Sequence, residues 1–229
     1  MTSRPPENRL AATCRSCAAL LVLALAGGCS SDNTDNYSQI WGVARTMWNK
    51  DDSGVLLAQA SAIPYSTIGY RLDDGREQLL VLATQMGDAQ LYTSAAHVAI
   101  ELRHGRIVRT TGFAHNVASQ VLPSANEPPF SRESQSVNLL ADFPDDGLYS
   151  VAISCNDSKP TPESIKILGA AIHTMRIDEH CTSQTLDWSY DNVFWIDPVN
   201  FRVWRSIQYT HPKQDAFEIE VLRPVGDGS

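Results

Sequence analysis

Short stretches in which apolar and polar residues alternate recur along most of the chain. Ile68, Tyr70 and Leu72 form one such stretch, and Ile100 and Leu102 fall in another. Alternation of this kind places successive side chains on opposite faces of a β-strand, so that one face can be buried. About ten such segments and one helical segment predict a single mainly antiparallel β domain over residues 37–226, either a sandwich or a partly open barrel.

About ten segments have the pattern expected of strands. They are residues 68–72, 78–83, 97–103, 106–110, 148–154, 164–169, 171–179, 193–196, 201–209 and 217–222. We expect His104 and Gly105 to form a two-residue hairpin loop, which places Leu102 opposite Ile107. Residues 123–147 contain four prolines and are interpreted as a long excursion from the sheet.

One segment has the spacing of an amphipathic helix. Large apolar side chains recur every three or four residues from Tyr37 to Trp48, which places them on one face of a helix of about three turns. Asp35 is the expected N-cap, and residues 51–54 are expected to end the helix.

Residues 1–28 have the three-part layout of a secretory signal. A basic region precedes an apolar run over residues 18–26, which is shorter than the about 20 residues that span a bilayer. The small residues before Cys29 resemble a bacterial lipobox, in which the cysteine is acylated and becomes the first residue of the mature protein. The alternative is an ordinary signal peptide in which Cys29 is incidental.

The lipobox resemblance implies a lipid anchor on Cys29, with palmitate among its acyl chains, followed by a tether over residues 29–36. Ser30 beside this cysteine resembles the pattern of lipoproteins passed on to the outer membrane, so we expect the domain on its periplasmic face. The formal net charge of −8 argues against nucleic-acid binding and against adhesion to an anionic membrane by charge alone. Membrane attachment is therefore expected to depend on the lipid.

Two cysteines lie beyond the signal and Cys29. Cys155 and Cys181 are an even pair in a chain expected to enter an oxidising compartment, which predicts one disulfide. Two unpaired buried thiols are the alternative.

Several stretches resemble the YjbF/GfcB-type lipoproteins, which are associated with exopolysaccharide and group 4 capsule production. The stretches that carry the resemblance are residues 63–66, 79–83, 105–112, 192–198, 203–208 and 218–224. Their order and spacing extend over nearly the whole expected mature chain. The resemblance implies a pathway rather than a reaction, because it provides no catalytic residues to carry over.

The expected strand over residues 201–209 contains the candidate glycan contacts. Trp204 is expected to share a face with Arg202 and Gln208, so that the indole could stack on a sugar ring beside two hydrogen-bonding groups. The alternative is that Trp204 packs under the amphipathic helix. Arg205, on the opposite face, is expected to pair with Glu218 or Glu220.

Catalytic and metal-binding patterns are weak. Asp187, Asp191 and Asp197 lie close in sequence to aromatic residues, as a glycosidase would require, but they are interpreted more simply as turn residues. The histidines are scattered and no Gly-x-Ser-x-Gly motif occurs. We therefore expect a protein that is not an enzyme and needs no cofactor or metal.

Together these observations predict a lipid-anchored, non-enzymatic accessory protein of polysaccharide assembly or export. It is expected to act by binding a glycan or proteins of the export machinery. The alternative is a periplasmic carrier of a hydrophobic ligand, in which Leu80, Leu82 and Ile100 would line a cavity for an acyl chain.

Overall fold

The computed structural model describes residues 53–121, Phe130 and residues 136–226. The predicted signal peptide, Cys29, the tether and the amphipathic helix over residues 37–48 lie outside these described residues. In the described part, the prediction of a mainly antiparallel β fold is confirmed. It contains thirteen strands rather than about ten.

The described elements are one α-helix, thirteen strands and one turn of 3₁₀-helix at Pro144–Asp146. They are α1 (Ser53–Ala62), β1 (Thr67–Leu72), β2 (Gln78–Met86), β3 (Ala89–Thr93), β4 (Ala99–Arg103), β5 (Arg106–Thr111), β6 (Ser119–Val121), β7 (Ser136–Phe143), β8 (Leu148–Asp157), β9 (Thr161–Ile167), β10 (Ala170–Ser183), β11 (Trp188–Ile196), β12 (Val203–Gln208) and β13 (Phe217–Arg223).

The strands form one sheet that rolls into a nearly closed barrel. Its strand order is β5-β4-β3-β2-β1-β13-β12-β11-β10-β8-β7-β6, and β9 pairs with β10 beside this path. The two ends of the sheet approach each other, since the Thr110 N–H donates to the Val117 carbonyl over 2.9 Å and the Val117 N–H donates to Thr110 Oγ1 over 3.0 Å. These bonds satisfy backbone groups that an open sheet would leave exposed.

The barrel interior is packed in two main clusters. One cluster fills the half around β1–β5 and β13, with Ile68, Leu80, Ile100 and Phe217 fully buried. The other fills the half around β7, β8, β10 and β11. Close packing on both sides leaves the interior with a filled core, which is what keeps the rolled sheet in one register.

The β9–β10 hairpin covers part of the outer surface. The last nine residues of β10, Met175–Ser183, pair with β11, while its first seven residues, Ala170–Arg176, pair with β9. Ile165 and Ile167 of β9 then pack with Trp195 of β11. This second layer explains why Trp195, on the outer face, is buried.

The predicted hairpin between β4 and β5 is confirmed. His104 and Gly105 form the two-residue loop with φ values of 48° and 79°, as the favoured type I′ hairpin turn requires at both central positions. Leu102 lies opposite Ile107, as the register predicts.

One prediction of secondary structure was wrong. Residues 136–143, assigned to a proline-rich excursion, form strand β7 between β6 and β8, because alternation resumes after the prolines. The helix α1 over Ser53–Ala62 was not predicted. Strands β3 and β6 were not predicted at all, and both are only three to five residues long.

The faces of β12 also differ from the prediction. Ile196 pairs with Val203 whereas Trp195 pairs with Arg205, so Trp204 is an extra residue in a β-bulge. After the bulge, Gln208 is buried inside the barrel. Trp204 instead lies at the end of the barrel. A one-residue bulge exchanges the faces of all residues that follow it, which the alternation of the sequence does not reveal.

No α-helix among the described residues is long and apolar enough to cross a membrane.

Candidate functional site

A cleft of about 380 Å³ opens at one end of the barrel. It lies where the β2–β3 turn, the β4–β5 turn, the start of β12 and the segment after β13 come together. Its volume falls in the range typical of sites for small ligands. This cleft is the candidate functional site.

The cleft has an apolar floor. Tyr92, Leu102, Val203 and Ile219 contribute to its lining, and all four are buried. They come from strands on two sides of the barrel, so the floor is continuous with the packed interior. A floor of this kind is rigid, because moving it would disturb the core.

Polar side chains from two hairpin turns line the cleft. Asp88 lies in the β2–β3 turn and His104 lies in the β4–β5 turn, and His104 Nε2 lies 3.2 Å from Asp88 Oδ2. Gln85 and Gln90 of the same β2–β3 hairpin add amide groups that can both donate and accept hydrogen bonds. The two hairpin tips are thereby joined at the edge of the cleft.

Asp197 organises the opposite wall. Its Oδ1 accepts hydrogen bonds from the N–H groups of Val199 over 2.8 Å and Asn200 over 3.2 Å, and its Oδ2 accepts one from Trp204 Nε1 over 3.5 Å. Burial disfavours the charged carboxylate, but these hydrogen bonds and the charge of Arg202 outweigh it and lower the pKa of Asp197. The carboxylate therefore fixes both the turn before β12 and the indole ring.

Two of the three predicted glycan contacts meet in the cleft. Arg202 and Trp204 both line it, and Arg202 Cζ lies 5.4 Å from the centre of the Trp204 ring. Trp204 is half-buried and packs beside the outer cluster that contains Trp195 and Ile165. The indole therefore both packs and lines the cleft, and its described packing partners come from the β9 and β11 strands.

Gln208 does not reach the cleft. It is buried, its Oε1 accepts a hydrogen bond from the Ile107 N–H over 2.9 Å, and its Nε2 donates to the Gly105 carbonyl over 2.8 Å and to Ser206 Oγ over 2.8 Å. The side chain thus holds the start of β5 and the turn that lines the cleft. Gln208 therefore stabilises the turn that lines the cleft and does not line the cleft itself.

Arg205 pairs as the sequence predicts. Its Nε lies 3.7 Å from Glu218 Oε1, and its Nη2 forms an ion pair with Glu220. It also donates to the carbonyl of Lys166 over 2.9 Å. The guanidinium therefore ties β12 to both β13 and β9 on the outer face.

A buried polar cluster occupies the centre of the barrel. Arg106 donates from Nη1 to Glu179 Oε2 over 2.8 Å and from Nη2 to Oε1 over 2.5 Å, and Asn192 Nδ2 donates to the same Oε2 over 2.8 Å. Burial opposes the charge of Glu179, but its partners outweigh burial and lower its pKa. Burial, together with the charge of Glu179, raises the pKa of the nearby Asp157 to about 7.

Cys155 and Cys181 form the disulfide that the sequence predicts. It joins β8 and β10 at directly paired positions, inside the barrel. Their sulfurs and the Glu179 carboxylate lie within 4.8 Å of one another. Because the two sulfurs are bonded to each other, they offer no thiolate to a metal ion.

The three aspartates considered for glycoside hydrolysis are spread along β11. Asp187 precedes this strand, Asp191 lies within it and Asp197 follows it. At about 3.3 Å per residue, even the nearest two lie more than about 10 Å apart along the strand, beyond the separation of a glycosidase pair. Asp191 instead lies 2.7 Å from His180 on an exposed face.

The cavity expected for a hydrophobic-ligand carrier is filled. Leu80 and Ile100 are completely buried in the first core cluster, and Leu82 packs against it. None of the three lines the cleft. The sequence pattern is the same for a filled core and for a lined cavity, so the structure alone distinguishes them.

The sequence analysis did not identify the hairpin residues of the site. Asp88, Gln90 and His104 stand in or beside turns, where polar residues occur in most proteins. The predicted β4–β5 loop could have identified His104. The β2–β3 turn with Asp88 lies beside this loop only because β3 pairs with β4, and the sequence does not reveal that strand order.

The rolled antiparallel fold is similar to that of a lipoprotein of known structure. The crystal structure of the hypothetical lipoprotein YmcC from Escherichia coli (K12) matches with a TM-score of 0.63 and 20% identity, over 77% of this chain and 98% of that chain. In sequence, the chain is 23% identical over 184 residues to the uncharacterized lipoprotein GfcB of Escherichia coli (strain K12), which is 78% of this chain and 86% of that protein.

Residues 42–222 match the family described as group 4 capsule polysaccharide lipoprotein GfcB, YjbF. The chain belongs to this family, and the resemblance drawn from its sequence is confirmed. Membership makes it a lipoprotein of the cell envelope associated with capsule polysaccharide.

Proposed function

We propose that this lipoprotein is a non-enzymatic accessory protein in the assembly or export of an extracellular polysaccharide, and that it acts by binding glycan in the cleft at the end of the barrel. The observation that carries the proposal is the convergence of Trp204, Arg202, Gln90 and the His104–Asp88 pair on a cleft with a rigid apolar floor. An aromatic ring beside planar hydrogen-bonding groups suits a sugar, which has both apolar faces and hydroxyl edges.

The arrangement of carboxylates around the cleft favours binding over hydrolysis. Asp197 accepts hydrogen bonds through both of its oxygens, and Asp88 lies against His104. A general acid needs a raised pKa, whereas the pKa of Asp197 is lowered. These groups are suited to hold the shape of the cleft.

We place the protein on the periplasmic face of the outer membrane, anchored through acyl chains on Cys29. Each buried methylene contributes about 0.8 kcal/mol, so several acyl chains together give an effectively permanent attachment. The cleft would then work within tether length of the bilayer through which the polymer leaves the cell. Proteins of the export machinery are the expected neighbours.

The proposal is tested by deleting the gene and measuring secreted polysaccharide after complementation. We expect wild-type protein to restore the polymer and Trp204→Ala to restore little of it. Tyr149→Ala is the matched control, because Tyr149 is an exposed aromatic side chain, 65% accessible, that does not line the cleft. Normal polymer in the deletion strain, or full restoration by Trp204→Ala at equal protein level, would overturn the proposal.

The anchor is tested separately by labelling cells with radioactive palmitate and separating inner from outer membranes. Wild-type protein should carry the label and fractionate with the outer membrane, whereas Cys29→Ser should carry none. An unlabelled wild-type protein that is freely soluble would contradict the anchor, and a labelled protein in the inner membrane would contradict the location.

A further inference from the structure

Three loops meet at the end of the barrel away from the cleft. They are the β5–β6 loop over residues 112–118, the β7–β8 turn over residues 144–147 and the β12–β13 loop over residues 209–216. His211 of the β12–β13 loop lies at their junction, and its side chain is only 1% exposed. Its ring stacks on that of His115 in the β5–β6 loop, with 5.0 Å between the ring centres, and lies perpendicular to the ring of Phe143, which ends β7. The imidazole therefore fills the space between the loops.

Both ring nitrogens of His211 have a partner. Nδ1 accepts a hydrogen bond from the Lys213 N–H over 3.0 Å, and Nε2 lies 3.0 Å from Asp146 Oδ2 in the β7–β8 turn. Because a backbone N–H can only donate, Nδ1 carries no proton in this arrangement. The proton of the neutral ring is then on Nε2, which donates it to Asp146. The neutral ring therefore satisfies both partners.

A second proton would disrupt this arrangement. It has to enter at Nδ1, where it would face the Lys213 N–H and replace an accepted hydrogen bond with two opposed donors. The same turn is closed by the Gln214 N–H, which donates to the His211 carbonyl over 3.1 Å. Gln214 Oε1 accepts a hydrogen bond from the His115 N–H over 3.3 Å. A turn that opens at Lys213 would therefore also disturb the β5–β6 loop.

The charged and titratable groups that face the His211 ring come from all three loops. Among the described residues they are Asp146, His115 and Lys213, and Lys213 Nζ also lies 2.8 Å from Asp146 Oδ1. Asp146 favours a protonated ring, whereas burial, His115 and Lys213 oppose it. Burial has the largest effect, and the balance lowers the pKa of His211 from its usual value.

The contact between His211 and Asp146 adds a link between the β7–β8 hairpin and the rest of the barrel. Within the described part of the chain, β8 pairs with β10 at four positions, residues 154–157 with residues 179–182. The contact with His211 holds the opposite end of this hairpin, its turn, to the β12–β13 loop. Its loss should therefore open the loops locally and leave the barrel folded.

We infer that His211 is a pH-sensitive switch: the neutral ring joins the three loops, and protonation releases them from one another. This inference concerns the end of the barrel opposite the cleft and is independent of the proposed glycan binding. In the open form His211 has the ordinary pKa of about 6.5, whereas in the closed form the pKa is lower. The closed form is therefore favoured above about pH 6.5 and loses stability as the pH falls below that value.

The test is hydrogen exchange of the full-length protein in detergent at pH 7.5 and pH 5.5, measured by mass spectrometry and corrected for the intrinsic effect of pH on exchange. Peptides that contain the three loops should exchange about threefold to tenfold faster at pH 5.5, since one proton changes an equilibrium by at most about tenfold per pH unit. Peptides from β2 and β3 should not show this increase.

His211→Asn should remove the pH dependence. An Asn side-chain oxygen accepts a hydrogen bond from the N–H two residues further on, as His211 Nδ1 does, but it gains no proton in this pH range. Loss of the ring should speed exchange equally at both pH values, so the ratio should be close to one. His180→Asn is the matched control, because His180 also lies against an aspartate, 2.7 Å from Asp191, but is 55% exposed on the outer face. This variant should keep the ratio of the wild type.

Equal corrected exchange of the three loops at the two pH values in the wild type would overturn the inference. The same would follow if His211→Asn kept the increase seen in the wild type. Titration of the histidine rings by NMR provides an independent measurement. A midpoint for His211 at or above about 6.5 would also overturn the inference, because protonation would then strengthen the closed form.

Discussion

Arg106 and Glu179 form a bidentate ion pair inside the barrel, with 2.8 Å between Arg106 Nη1 and Glu179 Oε2. Both side chains are excluded from water, at 2% and 0% exposure. The Arg106 guanidinium also lies over the rings of Phe130 and Phe194, at 5.7 Å and 5.1 Å from the ring centres. The pair joins β5 to β10 across the interior. Arg106, the first residue of β5, immediately follows the hairpin turn that lines the cleft.

Arg106→Met should reduce the free energy of unfolding by about 3–5 kcal/mol, because it leaves the Glu179 carboxylate buried without its counter-charge. The double variant Arg106→Met/Glu179→Leu should recover much of this loss, because neither member of the pair is then left buried without its partner. Unfolding in urea measures both.

Arg71→Met is the control for this pair. Arg71 pairs with Glu218 on the outer face but its side chain is 46% exposed, so we expect a loss of about 0–1 kcal/mol. A similar loss for Arg106→Met and Arg71→Met would contradict the assigned role of the interior pair.

Asp157 should make the protein less stable as the pH rises from about 4 to about 7. Burial and the neighbouring Glu179 raise its pKa to about 7 in the folded state, whereas an unfolded chain has an Asp pKa of about 3.9. Between these values the folded state binds a proton that the unfolded state lacks, so the free energy of unfolding falls with rising pH.

Asp157→Asn should therefore flatten this dependence, which urea unfolding at pH 5 and pH 8 measures. Asp73→Asn, at an exposed turn, is the control. An unchanged slope in Asp157→Asn would refute the assignment.

The disulfide should contribute about 3 kcal/mol to stability on the chain-entropy model, since Cys155 and Cys181 are separated by 26 residues in sequence. The variant Cys155→Ala/Cys181→Ala should unfold at a lower urea concentration by the corresponding amount. Reductant should destabilise the wild type and leave this variant unchanged. A wild type that is insensitive to reductant even when unfolded would show that the bond is absent.

Gly105→Ala should destabilise the fold and impair the cleft. Gly105 has a φ of 79°, and a Cβ at this position would overlap the side chain of Val203 on the cleft floor. Backbone strain alone costs on the order of 1–3 kcal/mol, and the overlap adds to it. Thermal unfolding and saccharide titration of the variant measure the two effects.

Gly147→Ala separates strain from overlap. Gly147 has a similar φ of 68°, and a Cβ there would meet nothing within 4 Å. We expect this variant to lose stability from strain alone and to keep saccharide binding. Equal losses in the two glycine variants would indicate that Val203 yields easily and that the floor of the cleft is not rigid.

Local patterns in the sequence predicted much of the sheet. Alternation identified most strands, and the His104–Gly105 turn predicted both the loop and the Leu102–Ile107 register. Prediction was wrong where a local pattern had two interpretations. The prolines that flank β7 hid a strand, and the bulge at Trp204 separated it from Gln208.

The sequence by itself determined the class of fold, the disulfide partners and the family, because periodicity, cysteine pairing and the order of motifs are properties of the chain as written. Only the tertiary structure decided that Arg106 meets Glu179 inside the barrel and that Asp88 meets His104 beside the cleft. Such contacts depend on strand order and register, which arise when distant segments pack together and share one core.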